Sequence, residues 1–260
     1  MNNDAAQLTQ ARSRNGSLPG ASQPRFRKSP KAVRRLVVIG NGMVSHKFVD
    51  TLLQRDSQGE FQITVFGEEV HPAYDRVNLS SLFHSESDAP LELPGSSATG
   101  AEAVRRHLGD PVSLIDRDQK TVHSAGGRNV EYDVLVLATG SDAYLPDFPG
   151  NGLPGVFVYR SFDDLRRIRE RCATAGSVAV VGGGLLGLET AQVLKDKGLR
   201  VHVIERGSGL MACQLNPQAS AALQRGIDRL GIVVHNGKKI SSIEARDGSH
   251  ALNFADGSRL

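Results

Sequence analysis

Two glycine clusters carry the chemistry that can be read in this 260-residue chain. The more regular is Gly182-Gly183-Gly184-Leu185-Leu186-Gly187, a G-x-G-x-x-G pattern directly after the apolar run Val178–Val181. Between a strand and a helix, these glycines suit a dinucleotide. Gly182 permits the tight turn, Gly184 lets a pyrophosphate approach bare backbone, and Gly187 lets the helix pack close to the strand. The helix N-terminus turns its free N–H groups and positive dipole end toward the phosphates. Glu205 closes the next strand, 23 residues after Gly182. A carboxylate there accepts both ribose hydroxyls and repels a 2′-phosphate, which favours NADH over NADPH. Arg206 follows directly and softens that preference.

The earlier cluster is Gly40-Asn41-Gly42-Met43-Val44-Ser45, with Ser45 at the third glycine position. Gly67-Glu68-Glu69 follows the second strand, and Gly67 takes the slot where an acid is expected. Glu68 is the expected ribose ligand, with the register open by one residue. Arg76 lies in the loop that follows, where a guanidinium can pair with pyrophosphate. The apolar run Tyr132–Ala138 leads into Thr139-Gly140-Ser141, a small-residue turn that lets backbone approach a cofactor. For either cluster the alternative is a glycine turn that binds nothing. The ordered strand, helix and acid weigh against it at the second cluster. Arg76 and the Thr139-Gly140 turn do so at the first.

The elements that must position these residues follow from the apolar pattern. Strands are expected at Arg35–Gly40 and Gln62–Phe66, with a helix over Met43–Gln54 between them. Residues 84–103 read as a loop, with a short helix over Ala101–His107. Val112–Ile115 and Lys120–His123 suggest a hairpin, and Val130 with Tyr132–Ala138 a further strand pair. A connector rich in Pro and Gly, 147–155, marks a boundary. A helix over Phe162–Ala173, a strand at Val178–Val181, a helix over Leu185–Lys197 and a strand at Arg200–Ile204 repeat the pattern. A helix over Gln218–Leu230 and strands near Ile232–His235, Ile240–Glu244 and Ala251–Phe254 complete it. The expected fold is α/β, with two Rossmann-like dinucleotide-binding domains. Residues 34–155 form the first and 156–260 the second, after a disordered basic tail over 1–33.

Composition narrows the function. Residues 1–35 hold eight basic residues against Asp4 alone, so the tail carries +7 and the remainder −4 of the net +3. A basic patch for nucleic acid is therefore not expected on the folded body. No apolar run approaches membrane-spanning length, and the start lacks the apolar core of a secretory signal. Cys172 and Cys213 form no CxxC pair, which excludes a dithiol of neighbouring cysteines and suits a reducing cytoplasm. The eight histidines show no metal-ligand spacing.

The order of motifs resembles the two-dinucleotide-domain flavoprotein reductases over about residues 34–260. It runs Gly-x-Gly, Tyr-Asp-Arg-x-x-Leu-Ser, Tyr-Asp-x-Leu-Val-Leu-Ala-Thr-Gly-Ser, then Val-Val-Gly-Gly-Gly-Leu-Leu-Gly-Leu-Glu. Within that superfamily the chain is similar to the N-terminal part of the sirohaem-dependent NAD(P)H nitrite reductase large subunits. Val37-Val-Ile-Gly-Asn-Gly-Met-Val44, Ile63-Thr-Val-Phe-Gly-Glu-Glu69, Ala73-Tyr-Asp-Arg-Val-Asn-Leu-Ser80 and Gly207-Ser-Gly-Leu-Met-Ala-Cys-Gln-Leu215 carry that finer likeness. The resemblance implies that Gly40, Gly42, Ser45, Glu68, Arg76, Thr139 and Gly140 hold FAD, with the Val112 backbone near the adenine. It implies that Gly182, Gly184, Gly187 and Glu205 hold the nicotinamide nucleotide. Glu189, early in the second helix of this kind, resembles the family's acid beside the nicotinamide; an exposed helical glutamate is the alternative.

The implied activity is NAD(P)H-dependent oxidoreduction, with electrons passing from NADH through FAD to an acceptor protein, a following domain or a subunit. A homo-oligomer is compatible with it. The family closes its FAD site with a later Gly-Asp turn, and this sequence ends before one. Iron–sulfur and sirohaem ligands are not expected in this stretch. The chain reads as a fragment, a split product or a decayed copy. The alternatives are a ferredoxin- or rubredoxin-reductase-like flavoprotein, and a non-catalytic nucleotide-binding remnant. Ser81 argues against the first, where Lys often follows Leu-Ser.

Overall fold

The computed structural model describes residues 32–85, 89–95 and 104–260, with Val33–Leu260 as one compact unit. The basic tail up to residue 31, most of the 84–103 loop and the start of the expected 101–107 helix lie outside the described residues.

The first sheet is parallel. Strand β1 (Arg34–Ile39) leads through helix α1 (Met43–Arg55) to β2 (Phe61–Phe66). A 3-10 turn spans Leu79–Phe83, and β3 (Val104–His107) pairs with β2. An antiparallel meander follows, β4 (Val112–Asp116), β5 (Thr121–Ser124) and β6 (Asn129–Glu131), before β7 (Val134–Leu137) joins β1. The sheet order is β3-β2-β1-β7. Alternation along β1 sends Leu36 and Val38 to the α1 side, with Val49, Ile63 and Val65. Val37 and Ile39 face the meander, with Phe66, Val122 and Tyr132.

The plan then repeats. Helix α2 (Phe162–Cys172) precedes β8 (Ser177–Val181), α3 (Leu185–Asp196) and β9 (Arg200–Ile204). Helix α4 (Pro217–Arg229) leads to β10 (Val233–His235), and a hairpin of β11 (Ile240–Arg246) and β12 (Ser249–Phe254) follows. The second parallel sheet runs β10-β9-β8. Val201 and Val203 face the helices, among Leu165, Leu188 and Leu194. Ile204 faces the hairpin, with Ile243, Leu252 and Phe254. The 3-10 turn of the first half sends Leu79, Leu82 and Phe83 into the helical core of the second.

Two expectations fail here. Val104–His107 is a strand, not the end of a helix. Val104 is buried beside Ile63 while Arg105 points to solvent, a two-residue alternation too short to read among charged neighbours. Val130 and the Tyr132–Ala138 run do not pair with each other. Asn129–Glu131 closes the meander on β5, and Val134–Leu137 crosses to β1. Asp133 directs the crossing, because its carboxylate accepts the Arg35 backbone N–H at 2.7 Å and the Arg35 guanidinium.

Candidate functional site

Both glycine clusters lie at the C-terminal end of a first parallel strand, and their backbones match. Gly40 has φ +111° and Gly182 φ +112°. Gly40 donates its N–H to Phe66 O and Gly182 to Ile204 O, each at 2.8 Å. These left-handed turns exclude other residues. A Cβ on Gly40 would also lie 2.1 Å from Ala138 O.

The helices that follow begin at Gly42 and Gly184, both extended and neither with a side-chain cap. By contrast, α2 starts in a full capping box, Ser161 with Asp164, and α4 under the Asn216 side chain. The uncapped starts leave N–H groups without side-chain acceptors. A Cβ on Gly42 or Gly184 would meet nothing within 4 Å, so bare backbone faces open space. These are cradles that a side chain would fill, and they fit phosphate.

The third position differs between the halves. A Cβ on Gly187 would lie 2.0 Å from Gly182 O, so only glycine fits. Ser45 is accommodated in the first half, 1% exposed, yet its buried hydroxyl finds no hydrogen-bond partner. Removing an unpaired buried hydroxyl relieves a desolvation cost. Ser45→Ala should therefore raise unfolding stability by about 1 kcal/mol, read as a higher urea midpoint at unchanged slope. A lower midpoint would mean that the hydroxyl has an acceptor.

The acid slot also differs, for a steric reason. Glu205 donates its N–H to His235 O, and Gly67 donates its own to His107 O, so the two occupy one structural position. In the second half residue 183 is glycine and leaves room for the Glu205 side chain. In the first half Asn41 stands there, and a Cβ on Gly67 would come within 2.8 Å of the Asn41 Cβ. One oxygen of Glu205 accepts the Gly183 N–H at 2.7 Å, the other the Gly207 N–H. A carboxylate keeps further lone pairs for ribose hydroxyls. Glu68 is exposed beyond Gly67. Glu69, next along, accepts the Tyr74 hydroxyl at 2.7 Å and pairs with Arg76.

Arg76 is therefore neutralised by Glu69, stacked 4.9 Å over the Tyr74 ring, and bonded to Arg160 O at 3.2 Å. Sequence reasoning passed over the residue that receives this bond. Arg160 Nη2 lies 3.6 Å from where a Cβ on Gly140 would stand, and no carboxylate pairs with this guanidinium among the described residues. Thr139 and Gly140 (φ +76°) are exposed at the end of β7, and Val112 is half-buried at the start of β4. Glu189 is half-buried in the second turn of α3, and its carboxylate bears on the Tyr159 phenol. Cys172 and Cys213 are unpaired thiols. Among the described residues no group of three or more His, Cys, Asp or Glu could hold a metal ion, and no helix is long and apolar enough to cross a membrane.

Known proteins resemble this chain in sequence and in fold. The large subunit of nitrite reductase [NAD(P)H] from Klebsiella oxytoca is 43% identical over 225 residues, which is 86% of this chain and 24% of that protein. The assimilatory nitrate reductase electron transfer subunit of Bacillus subtilis is 32% identical, over 87% of this chain and 29% of that one. The chain thus spans about a quarter of the length of these curated relatives. Among solved structures, the ferredoxin reductase for the CYP199A2 system from Rhodopseudomonas palustris superposes with a TM-score of 0.81. It is 28% identical, over 87% of this chain and 56% of that one. With residues 34–260 matching the family model for pyridine nucleotide-disulphide oxidoreductases, the chain belongs to that family.

Proposed function

We propose that residues 34–155 hold FAD, that 156–260 hold NADH, and that the chain passes electrons from NADH through FAD to a downstream acceptor. This is the role of a reductase module in an NAD(P)H nitrite reductase, and the acceptor is a following domain, a subunit or a separate protein. One observation carries the reading. Two parallel sheets each present a left-handed glycine, an uncapped helix start and an open backbone cradle, in the same register of hydrogen bonds. Two unpaired thiols are compatible with a cytoplasmic setting.

Bound FAD would supply the hydride acceptor and the one-electron exit. The chain's own residues bind and orient. Gly40, Gly42 and the α1 start cradle one pyrophosphate, with Ser45 packing the helix on its strand and Glu68 near the ribose. Arg160 and the Thr139-Gly140 turn close that side, Arg76 fixes the loop between them, and the Val112 backbone lies toward the adenine. Gly182, Gly184, Gly187 and the α3 start cradle the other pyrophosphate, with Glu205 on the ribose and Glu189 toward the nicotinamide. No side chain has to move a proton in the hydride step, so orientation and exclusion of water are the protein's main contributions.

The test is anaerobic. The chain together with the segment that follows the matched stretch in the nitrite reductase large subunits, loaded with FAD, freed of excess and given NADH, should lose its flavin absorbance band. Retained flavin that NADH does not bleach would refute the reading. Nucleotide choice follows from Glu205. A 2′-phosphate would approach a carboxylate already anchored by two backbone N–H groups, so NADH should bind about tenfold or more tightly than NADPH. Titrating both against one preparation checks this. Equal affinities would show that Arg206 offsets the carboxylate.

A further inference from the structure

A ring of hydrogen bonds joins the loop after β2 to the start of α2. Tyr74 is buried, 3% exposed, and its hydroxyl accepts the Phe162 N–H at 3.0 Å. The same hydroxyl donates to Glu69 Oε2 at 2.7 Å. Burial, with that bond adding to it, pushes the phenol pKa up, so Tyr74 keeps the proton it donates. The other Glu69 oxygen pairs with Arg76. Arg76 Nη1 donates to Arg160 O at 3.2 Å, which closes the ring through residues 160–162. Asp164 holds the same stretch from its other side. One of its oxygens accepts the Arg160 N–H at 3.1 Å and the Ser161 N–H at 2.9 Å. The backbone of 160–162 is thus fixed by both halves of the chain, while no carboxylate pairs with the Arg160 guanidinium among the described residues. That guanidinium stands 3.6 Å from the Cβ position of Gly140.

A backbone fixed in advance lowers the entropy lost when its side chain takes a ligand. Ion pairs drawn out of water add little stability over apolar residues of the same volume, so the ring is better explained by what it aims. Arg76 has its charge neutralised by Glu69 and its face covered by the Tyr74 ring, which leaves it little to offer a phosphate. Arg160 keeps a free guanidinium, whose planar fork matches phosphate oxygens. We propose that Glu69, Tyr74 and Arg76 are positioning residues for Arg160: they hold its guanidinium at the Thr139-Gly140 turn, where it meets the FAD pyrophosphate. Arg76 then acts on the cofactor through Arg160 and not by contact, and the cation of the first site comes from the second half of the chain. The inference rests on the reading of the first half as the FAD site.

The experiment measures the Kd of FAD at several salt concentrations, in the chain together with the segment that follows the matched stretch in the nitrite reductase large subunits. The variants are Arg160→Met, Arg76→Met, Glu69→Ala, Tyr74→Phe and Arg76→Met/Arg160→Met. Arg160→Met should weaken FAD about tenfold to a hundredfold at low salt, and by less at high salt, where the phosphate contact is screened. Arg76→Met, Glu69→Ala and Tyr74→Phe should each weaken it about threefold to tenfold, with the same dependence on salt. The double variant should be no weaker than Arg160→Met alone. Glu69→Ala frees Arg76, so tighter FAD binding in that variant would show Arg76 touching the cofactor and overturn the proposal. Effects of the two arginines that multiply overturn it for the same reason. Weakening by Arg76→Met that is equal at every salt concentration marks a merely structural ring and overturns it too. Normal affinity in Arg160→Met removes Arg160 from the pyrophosphate, and normal affinity in Arg76→Met removes the ring from Arg160; either result ends the proposal and leaves FAD in the first half. If Tyr74→Phe does not fold, the arginine variants and their double decide. Failure of the unsubstituted protein to bind FAD overturns the functional reading itself.

Discussion

Gly184→Val should abolish NADH binding, with a rise in Kd of about 100-fold or more, while the protein stays folded. The separation of the two effects comes from where a side chain would go. Gly184 is extended, with φ −84° and ψ −179°, a conformation that a β-branched residue accepts. Nothing lies within 4 Å of its Cβ position, so the valine meets no protein atom there. It meets the volume where pyrophosphate would rest on the uncapped start of α3. Gly187→Ala is the contrasting change, three residues on. Its Cβ would lie 2.0 Å from Gly182 O, so α3 must move off β8. The cost should be about 3 kcal/mol or more of stability, with binding lost as a consequence of unfolding. Far-UV circular dichroism and thermal melts, run beside an NADH titration, distinguish the two. If Gly184→Val binds NADH normally, the second cluster is a structural turn and the nucleotide lies elsewhere.

The same geometry explains which parts of the site the sequence displays. Gly40 and Gly182 are visible because a left-handed turn after a strand admits almost nothing else. Glu205 is visible because it ends a strand of ordinary apolar residues. Arg160 was not, because a single arginine in a stretch with Arg166, Arg167 and Arg169 carries no period or spacing. Only the crossing of that stretch against Gly140 distinguishes it. The partner of Arg76 was hidden for a related reason. Glu68 and Glu69 are adjacent acids, and only the folded loop shows that Glu69 is the one that reaches Arg76. In the fold, long amphipathic and apolar segments such as α1, α2, β8 and β9 are legible to within a residue or two. The short strand β3 and the crossing of β7 depend on partners far along the chain, Ile63 for one and Arg35 for the other, and no local pattern records them.

The second large effect expected concerns the open edges of the two sheets. Among the described residues β7 pairs only with β1, and β8 only with β9. Each leaves a row of backbone N–H and C=O groups without a strand partner and an apolar side chain in water, Leu137 at 63% and Val181 at 55% exposure. Beside the first cradle, Met43, Val44, Phe48 and Leu52 line an apolar groove of about 620 Å³ on the outer face of α1. Surfaces of this kind pair with another chain or with another segment of the same one. The 260-residue chain on its own should therefore self-associate and retain little FAD, because β7 and its Thr139-Gly140 turn are held from one side only. Adding in trans the segment that follows the matched stretch in the nitrite reductase large subunits should give a defined complex that keeps flavin and shows NADH-dependent dye reduction. Gel filtration followed at the flavin band, with and without that segment, measures both effects. A monomer carrying stoichiometric FAD without the segment would refute the expectation. In that case β1, α1 and the Arg160–Gly140 contact would suffice to hold the flavin, and the open edge of β7 would have no part in binding it.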